Sequence, residues 1–378
     1  MRIAVPKETD PRETRAAVDP DGVRCLVKLG AEVTCGAGVG VGANYSDDAY
    51  REAGAEIVPR EQDLVAGADI VLRVGPPVAH QTKMLSPGCL HISFLDPFLE
   101  REKVLQLAQA GVSILSMQMV PRTTRAQKLD ALSSQASLAG YVAVILAADA
   151  VDKVFPMMTT PAGTLHPTRV FVIGAGVAGL QAIATAKRLG ARVEAFDTRS
   201  EVEEQVRSLG ARFVKVDLGE TGQTAQGYAK ALTAEQLDRQ RALLAKNCAL
   251  ADVVITTAKV FGKPAPVIVT DEMLRGMPPG AVVVDLSVDT GGNVEGSVRD
   301  EIKEVHGVRV IGLGNLPRRV AVHATQMYSS NVVNLLEELW DTDQGQVSLD
   351  ENDEIVQAAL VVREGIFCNE CISFSSSS

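Results

Sequence analysis

The chain has 378 residues, 46% of them apolar and 4% aromatic, with a formal net charge of −10. That length suits two domains of ordinary size, each able to bury its own core. The acidic balance argues against a nucleic-acid partner, which would need a basic surface to displace counterions.

No run of roughly eighteen uninterrupted apolar residues occurs, so no segment is expected to span a bilayer by itself. The opening MRIAVPKETD lacks the basic-then-apolar pattern of an export signal. The six cysteines, Cys25, Cys35, Cys89, Cys248, Cys368 and Cys371, are scattered rather than framed for disulfides, which suits a reducing cytoplasm. Cys368 and Cys371 form a single CxxC with no second pair and no nearby histidine. That makes a poor zinc site, so no metal is expected, and the region ending SFSSSS reads as a loose tail.

In chain order, RIAVPKE reads as a strand, Gly22 to Gly30 as a helix, and AEVTC as a second strand. ADIVLRV, GCLHISF and VSILSM are further strand-like runs with helical stretches between them. Such alternation predicts a parallel sheet covered on both faces. Pro121 closes this first region. From Ala126 to Val154 there is no proline, and Leu129, Leu132, Ala136, Ala139, Val142, Ala143 and Leu146 recur at helical spacing. One long helix is expected there, ending before Phe155-Pro156.

The second region begins at RVFVIGAGVAGLQAIATAKRLGARVEAFDTR. ARFVKV, ADVVITTA, AVVVDLS and VRVIGLGNL continue the strand rhythm. VAVHATQMYSSNVVNLLEELW is a helix that could return to the first domain, and EIVQAALVV is a possible strand pair. The expected architecture is α/β: two Rossmann-like, doubly wound parallel-sheet domains joined by long helices. Residues 1–137 with 325–378 would form a discontinuous first domain, and 138–324 a nucleotide-binding second domain.

GAGVAG places Gly174, Gly176 and Gly179 in GxGxxG spacing, with Ala175 and Val177 between them. A bare GxGxxG is weak. Here it follows a strand, opens a helix, and precedes a strand ending in Asp197, which is the full dinucleotide-binding context. The first glycine allows the tight turn, the second a close backbone approach to a pyrophosphate, and the third close helix–strand packing. The helix N-terminus presents free N–H groups to phosphate. Asp197 would accept hydrogen bonds from the adenosine ribose and repel a 2′-phosphate, favouring NAD(H); Arg199 opposes that repulsion, since an arginine neutralises phosphate.

A dehydrogenase acting on an alcohol or amine moves a proton as well as a hydride. None of the five histidines, His80, His91, His166, His306 and His323, is paired by sequence with a carboxylate. Hydride passing between two nicotinamide rings needs no base, only two rings held close in the right orientation. Gln127, Asp130 and Ser133 are spaced by three and would share one helix face, with Arg122 just ahead. Together they could grip a nicotinamide and its ribose. The ordinary alternative is that Thr124 caps the helix and Asp130 pairs with a nearby Lys or Arg.

Most of the chain resembles the NAD(H)-binding component of proton-translocating nicotinamide nucleotide transhydrogenase. The matching runs are PKET and ETRAAV, RAQKLDALSSQASLAGY, FPMMTTPAGT, GAGVAGLQAIATAKRLGA, GYAKAL, ITTA, GKPAPVIVTDEM and DLSVDTGGN. The resemblance implies that Arg122, Gln127, Asp130 and Ser133, with Lys128 and Leu129 beside them, meet the nicotinamide end of NAD(H). It implies a mobile loop carrying Tyr228 and Gly227 that closes over the site. Ala175, Val177, Thr198, Arg199, Thr257 and Ala258 are implied as further nucleotide contacts. It also implies a homodimer, a separate NADP(H)-binding component, and a membrane-spanning proton channel. The chain would then lie in the cytoplasm, peripheral to the inner membrane.

Alanine dehydrogenase is the related alternative, similar at Arg15 and at VDTGGNVEGS, where Asp289 matches an aspartate of those enzymes. Those enzymes have a lysine where this chain has Arg73, and a catalytic histidine where it has Asp96. A non-catalytic NAD(H) sensor is a third reading.

Overall fold

The structure, a computed structural model, describes residues 1–216, 233–369 and 372. The chain packs as two units, Met1–Gln135 with Arg318–Ser378, and Ala136–Pro317.

The first unit is built on a sheet in the order Ile366–Phe367, Leu360–Arg363, Ser113–Ser116, Leu90–Ser93, Ile70–Leu72, Arg2–Val5, Glu32–Gly36, Glu56–Val58. The six strands from the N-terminal region are parallel, and the last two of the chain add antiparallel at one edge. The first strand lies inside the sheet, and the strand order reverses between Arg2–Val5 and Ile70–Leu72. Ile3, Val5, Ile70, Leu72 and Ile92 are fully buried, as strands covered on both faces require. Helix Pro20–Lys28 starts at Asp19, whose carboxylate accepts the Gly22 N–H and the Ser329 hydroxyl, both at 2.8 Å. Helix Ala321–Glu338, within the VAVHATQMYSSNVVNLLEELW run read as a helix, buries Tyr328, Val332, Leu335 and Leu336 in this unit's core.

The second unit repeats the plan. Its sheet order is Arg212–Phe213, Arg192–Phe196, Arg169–Ile173, Val253–Thr256, Val282–Asp285, Val308–Gly312, Glu301–Val305. All neighbours are parallel except the last pair. The order reverses between Arg169–Ile173 and Val253–Thr256, so the loops after Ile173 and Thr256 flank a topological switch point, where ligands of doubly wound sheets bind.

Several expectations need correction. The helix expected over 126–154 is shorter: Gln127–Leu129 is a 3-10 turn and the α-helix spans Ala131–Ala150. Asp130 interrupts it because its side chain caps the following turn. This helix is long and apolar enough to cross a membrane by length and composition, but Ala143, Val144 and Ala147 are fully buried, as in a packed helix. EIVQAALVV is not a strand pair. Asp353 accepts the Ile355 and Val356 N–H groups and starts helix Glu354–Ala359, and the strand begins only at Leu360. The tail is packed as far as it is described: Asn369 is buried and donates to the Ala358 carbonyl at 2.9 Å. Cys371 lies outside the described residues.

Candidate functional site

Strand Arg169–Ile173 delivers the chain to Gly174 at φ +98°, a conformation that disfavours any side chain. The three glycines of the turn do different work. A Cβ on Gly174 would come within 2.5 Å of Thr257 Oγ1. One on Gly179 would overlap the Gly174 carbonyl oxygen, so the helix packs on its own entry turn only without a side chain there. A Cβ on Gly176 would meet only Arg199 Nη2, at 3.9 Å. Gly176 therefore offers open backbone. Helix Val177–Arg188 starts there with no side-chain cap, leaving first-turn N–H groups for an anion. The turn fits a dinucleotide phosphate through the N–H groups from Gly176 to Gly179, while the Gly174 N–H is held by the Phe196 carbonyl at 2.8 Å and the Ala175 N–H by Asp197.

Asp197 follows strand Arg192–Phe196 and is held from two sides. Oδ2 accepts the Ala175 N–H at 2.7 Å, tying the carboxylate to the glycine turn. Arg199 donates to it from its backbone at 2.9 Å, from Nε at 3.0 Å and from Nη2 at 2.8 Å. The Asp197 carboxylate raises the Arg199 guanidinium above its ordinary value, chiefly through that hydrogen bonding.

On the other side of the switch point, Thr257 donates its N–H to the Ile173 carbonyl at 2.9 Å and its hydroxyl to the Gly174 carbonyl at 3.0 Å. Ala258 comes next and is gripped by Asn293. Asn293 Oδ1 accepts the Ala258 N–H at 3.0 Å, and Nδ2 donates to the carbonyls of Ala258 and Pro266, each at 2.8 Å. The Asp285 carboxylate fixes Asn293 in turn, accepting its backbone N–H at 3.0 Å and that of Ser287 at 2.9 Å. Sequence reasoning assigned no role to Asp285 or Asn293. The available signal was the double glycine of DLSVDTGGN: Gly291 and Gly292 sit at φ +108° and +86°, turning the chain back onto Asp285.

The polar set of the first unit is arranged differently from expectation. Asp130 Oδ1 accepts the Ser133 N–H at 2.8 Å, and Oδ2 accepts the Ser133 hydroxyl at 2.6 Å. Asp130 is thus a helix cap, and Gln127 lies before the helix on the 3-10 turn. Gln127, Asp130 and Ser133 do not share one helix face. Arg122 and Gln127 are exposed, and no hydrogen bond of the Gln127 side chain is found among the described residues. Lys128 turns to Glu338 at 3.0 Å, Leu129 is fully buried, and Asn331 Nδ2 holds the Lys128 carbonyl at 2.9 Å. Arg125 bridges Glu338 and Asp353, each at 2.8 Å. Arg125 and Lys128 hold the Glu338 carboxyl below its usual value. Tyr228 and Gly227 lie outside the described residues.

Two first-unit positions bear on amino-acid chemistry. Arg73 is buried and ion-paired to Glu61. Asp96 caps a turn, accepting the Phe98 N–H at 2.8 Å and the Leu99 N–H at 3.1 Å. His91 is fully buried beside Ser93 Oγ at 2.9 Å, and burial pushes it down to about 3, so it is neutral. Among the described residues no group of three His, Cys, Asp or Glu could hold a metal ion.

Comparison with known proteins places this geometry in a family. The N-terminal domain of alanine dehydrogenase/PNT matches residues 4–139, and the C-terminal domain of alanine dehydrogenase/PNT matches residues 143–370. An NAD(P) transhydrogenase alpha-subunit chain of Rhodospirillum rubrum is 42% identical over 380 residues, covering 99% of each chain. Alanine dehydrogenase of Mycobacterium tuberculosis is 28% identical, covering 99% of this chain and 96% of that one. The solved transhydrogenase structure from Sinorhizobium meliloti superposes with a TM-score of 0.85 at 40% identity, covering 98% of this chain and all of that chain.

Proposed function

This chain belongs to the alanine dehydrogenase/PNT family, and from that premise we propose that it is the NAD(H)-binding subunit of a proton-translocating NAD(P) transhydrogenase. Its reaction is reversible hydride transfer between NADH and NADP⁺, the NADP(H) being held by a separate component and the protons carried by a membrane-spanning partner. The chain is a homodimer in this reading and docks at the cytoplasmic face of the membrane through those partners.

The bound nucleotide supplies the hydride; the protein supplies grip and orientation. In the nucleotide-binding domain, expected over residues 138–324, the glycine turn takes the phosphates. Asp197, Thr198 and Arg199 take the adenosine ribose, and Thr257 and Ala258 line the far side of the switch point. By family resemblance, Arg122, Gln127, Asp130 and Ser133 orient the nicotinamide end, and Tyr228 and Gly227 close over it. No general base is required of them, because only a hydride moves between the two rings.

The observation that carries this reading over an amino-acid dehydrogenase is the state of Arg73 and Asp96. Both stand where alanine dehydrogenases, by family resemblance, have a lysine and a catalytic histidine. Arg73 is committed to Glu61 and Asp96 to a turn. Neither is placed to clamp a substrate carboxylate or to move a proton. The test mixes the purified chain with the NADP(H)-binding component of a related transhydrogenase and follows hydride transfer between nucleotide analogues. Transfer supports the reading. Tight NADH binding without transfer favours a sensor, and alanine-dependent NADH formation by the chain alone favours alanine dehydrogenase.

A further inference from the structure

The Asp197 carboxylate has about four acceptor positions, and all are taken within the chain. Two go to backbone N–H groups, of Ala175 and Arg199, and two to the Arg199 guanidinium, at 3.0 and 2.8 Å. The backbone donors are fixed by the glycine turn and the strand end. Only the guanidinium can give way. An incoming ribose diol must therefore displace Arg199 from Asp197, or share the carboxylate with it. Arg199 Nη2 already faces the open backbone at Gly176, 3.9 Å from where a side chain would begin. Its side chain is 14% exposed and that of Asp197 6%, so the pair is shielded enough for its charge balance to be felt by a ligand.

We infer that Asp197 and Arg199 form one specificity device in which the carboxylate withholds a guanidinium that would otherwise bind a 2′-phosphate. The inference rests on the NAD(H) reading of this turn. Discrimination against NADP(H) then has two components: the negative charge of Asp197 repels the extra phosphate, and the same charge keeps the nearest cation occupied. Removing the Asp197 charge undoes both and leaves a forked donor beside the ribose, suited to bidentate phosphate binding. The bound class becomes a 2′-phosphorylated dinucleotide.

The test is equilibrium binding of NADH and NADPH to the full chain, followed by nicotinamide fluorescence. The forms compared are the parent, Asp197→Asn, Arg199→Gln and the double variant. Asp197→Asn keeps an acceptor for the Ala175 N–H. Asp197→Ser serves as a second charge-removing variant, so a folding defect in one does not decide the outcome. Both should gain about ten- to hundredfold in NADPH affinity, the worth of a charge-assisted hydrogen bond. Adding Arg199→Gln should cancel that gain. The gain should also fall with added salt more steeply than NADH binding does. An unchanged NADPH affinity in both Asp197 variants, or a gain that survives Arg199→Gln, overturns the inference while NADH binding by the parent keeps the NAD(H) reading. A parent that binds neither nucleotide overturns both.

Discussion

Asn293 holds both backbone edges of Ala258, accepting its N–H at 3.0 Å and donating to its carbonyl at 2.8 Å. The second Asn293 donor reaches the Pro266 carbonyl at 2.8 Å, so one fully buried side chain spans the loop that follows strand Val253–Thr256. Asn293→Ala strands three backbone groups at once. The expected loss is about 2–4 kcal/mol, since each buried group left unpaired costs roughly 1–3 kcal/mol and some regain water. Asn293→Asp is nearly isosteric but turns an acceptor oxygen toward two carbonyls. It should weaken nucleotide binding at least as much as the alanine change. Urea midpoints with parallel NADH titrations would read both, and an Asp variant indistinguishable from the parent would remove Asn293 from the site's framework.

Gly140 is the next test. It lies in helix Ala131–Ala150, where a Cβ would overlap the Ala178 carbonyl in the first turn of helix Val177–Arg188. Glycine to alanine inside a helix ordinarily gains roughly 1 kcal/mol. Here the obstacle is backbone, which cannot rotate aside, and overpacking costs typically about 1–3 kcal/mol. The clash should win. Gly140→Ala is expected to lower the melting temperature and to weaken NADH binding together, because Ala178 shifts the turn that carries Val177 and Gly179. A variant more stable than the parent would show that the two helices separate freely.

Much of this was legible in the sequence because buried parallel strands leave apolar runs such as RVFVI and ADVVITTA, and GAGVAG cannot pack as written without Gly174 and Gly179. What escaped had local causes. Glu301–Val305 is largely exposed and charged, so it carries no apolar signature, and it pairs antiparallel only through its neighbour Val308–Gly312. Hairpin Met158–Thr160 with Gly163–Leu165 is exposed throughout and equally silent. At Asp130 a capping carboxylate decided where a helix began, against an apolar periodicity that ran through, and at Asp353 one started a helix where strands were expected. The filling of Asp197 by Arg199 depends on a side-chain rotamer, which spacing alone does not specify.

Stability against pH should show two opposing contributions around Arg73. Glu8 accepts the Val74 N–H at 2.7 Å, and burial raises its carboxyl from 4.5 to about 7 against the opposing pull of Arg73. A folded value above the unfolded one favours the protonated protein, so this contribution is complete below pH 4.5 and is lost as the pH rises through 7. Glu8→Gln can keep the Val74 bond and should gain on the parent across that interval, levelling off above it. His91 runs the other way: burial lowers it from 6.5 to about 3, so the parent loses stability as the pH falls below 6.5. His91→Gln should flatten that acid limb. Urea unfolding at several pH values separates the two, and parallel curves for parent and variants would deny both groups a role.

In the proposed reading the segment around Asp130 serves packing and nucleotide orientation together, and substitutions can divide them. Asp130→Ala removes the helix cap and should cost about 1 kcal/mol, the usual worth of such a residue. Asp130→Asn still accepts the Ser133 N–H, so stability should be nearly kept while the negative charge is lost. Gln127 stands apart: it is exposed on the 3-10 turn, outside the capping network, and Gln127→Asn should leave the melting temperature unchanged. If Gln127 orients the nicotinamide end, shortening it by one methylene disturbs ring placement more than affinity. Hydride transfer to an NADP⁺ analogue on the partner component should then slow about tenfold or more while NADH affinity changes little, as expected when an interaction matters mainly in the transition state. Equal, large losses in binding and transfer would make Gln127 an affinity contact instead, and no loss in either would leave the orienting work to Arg122, Asp130 and Ser133.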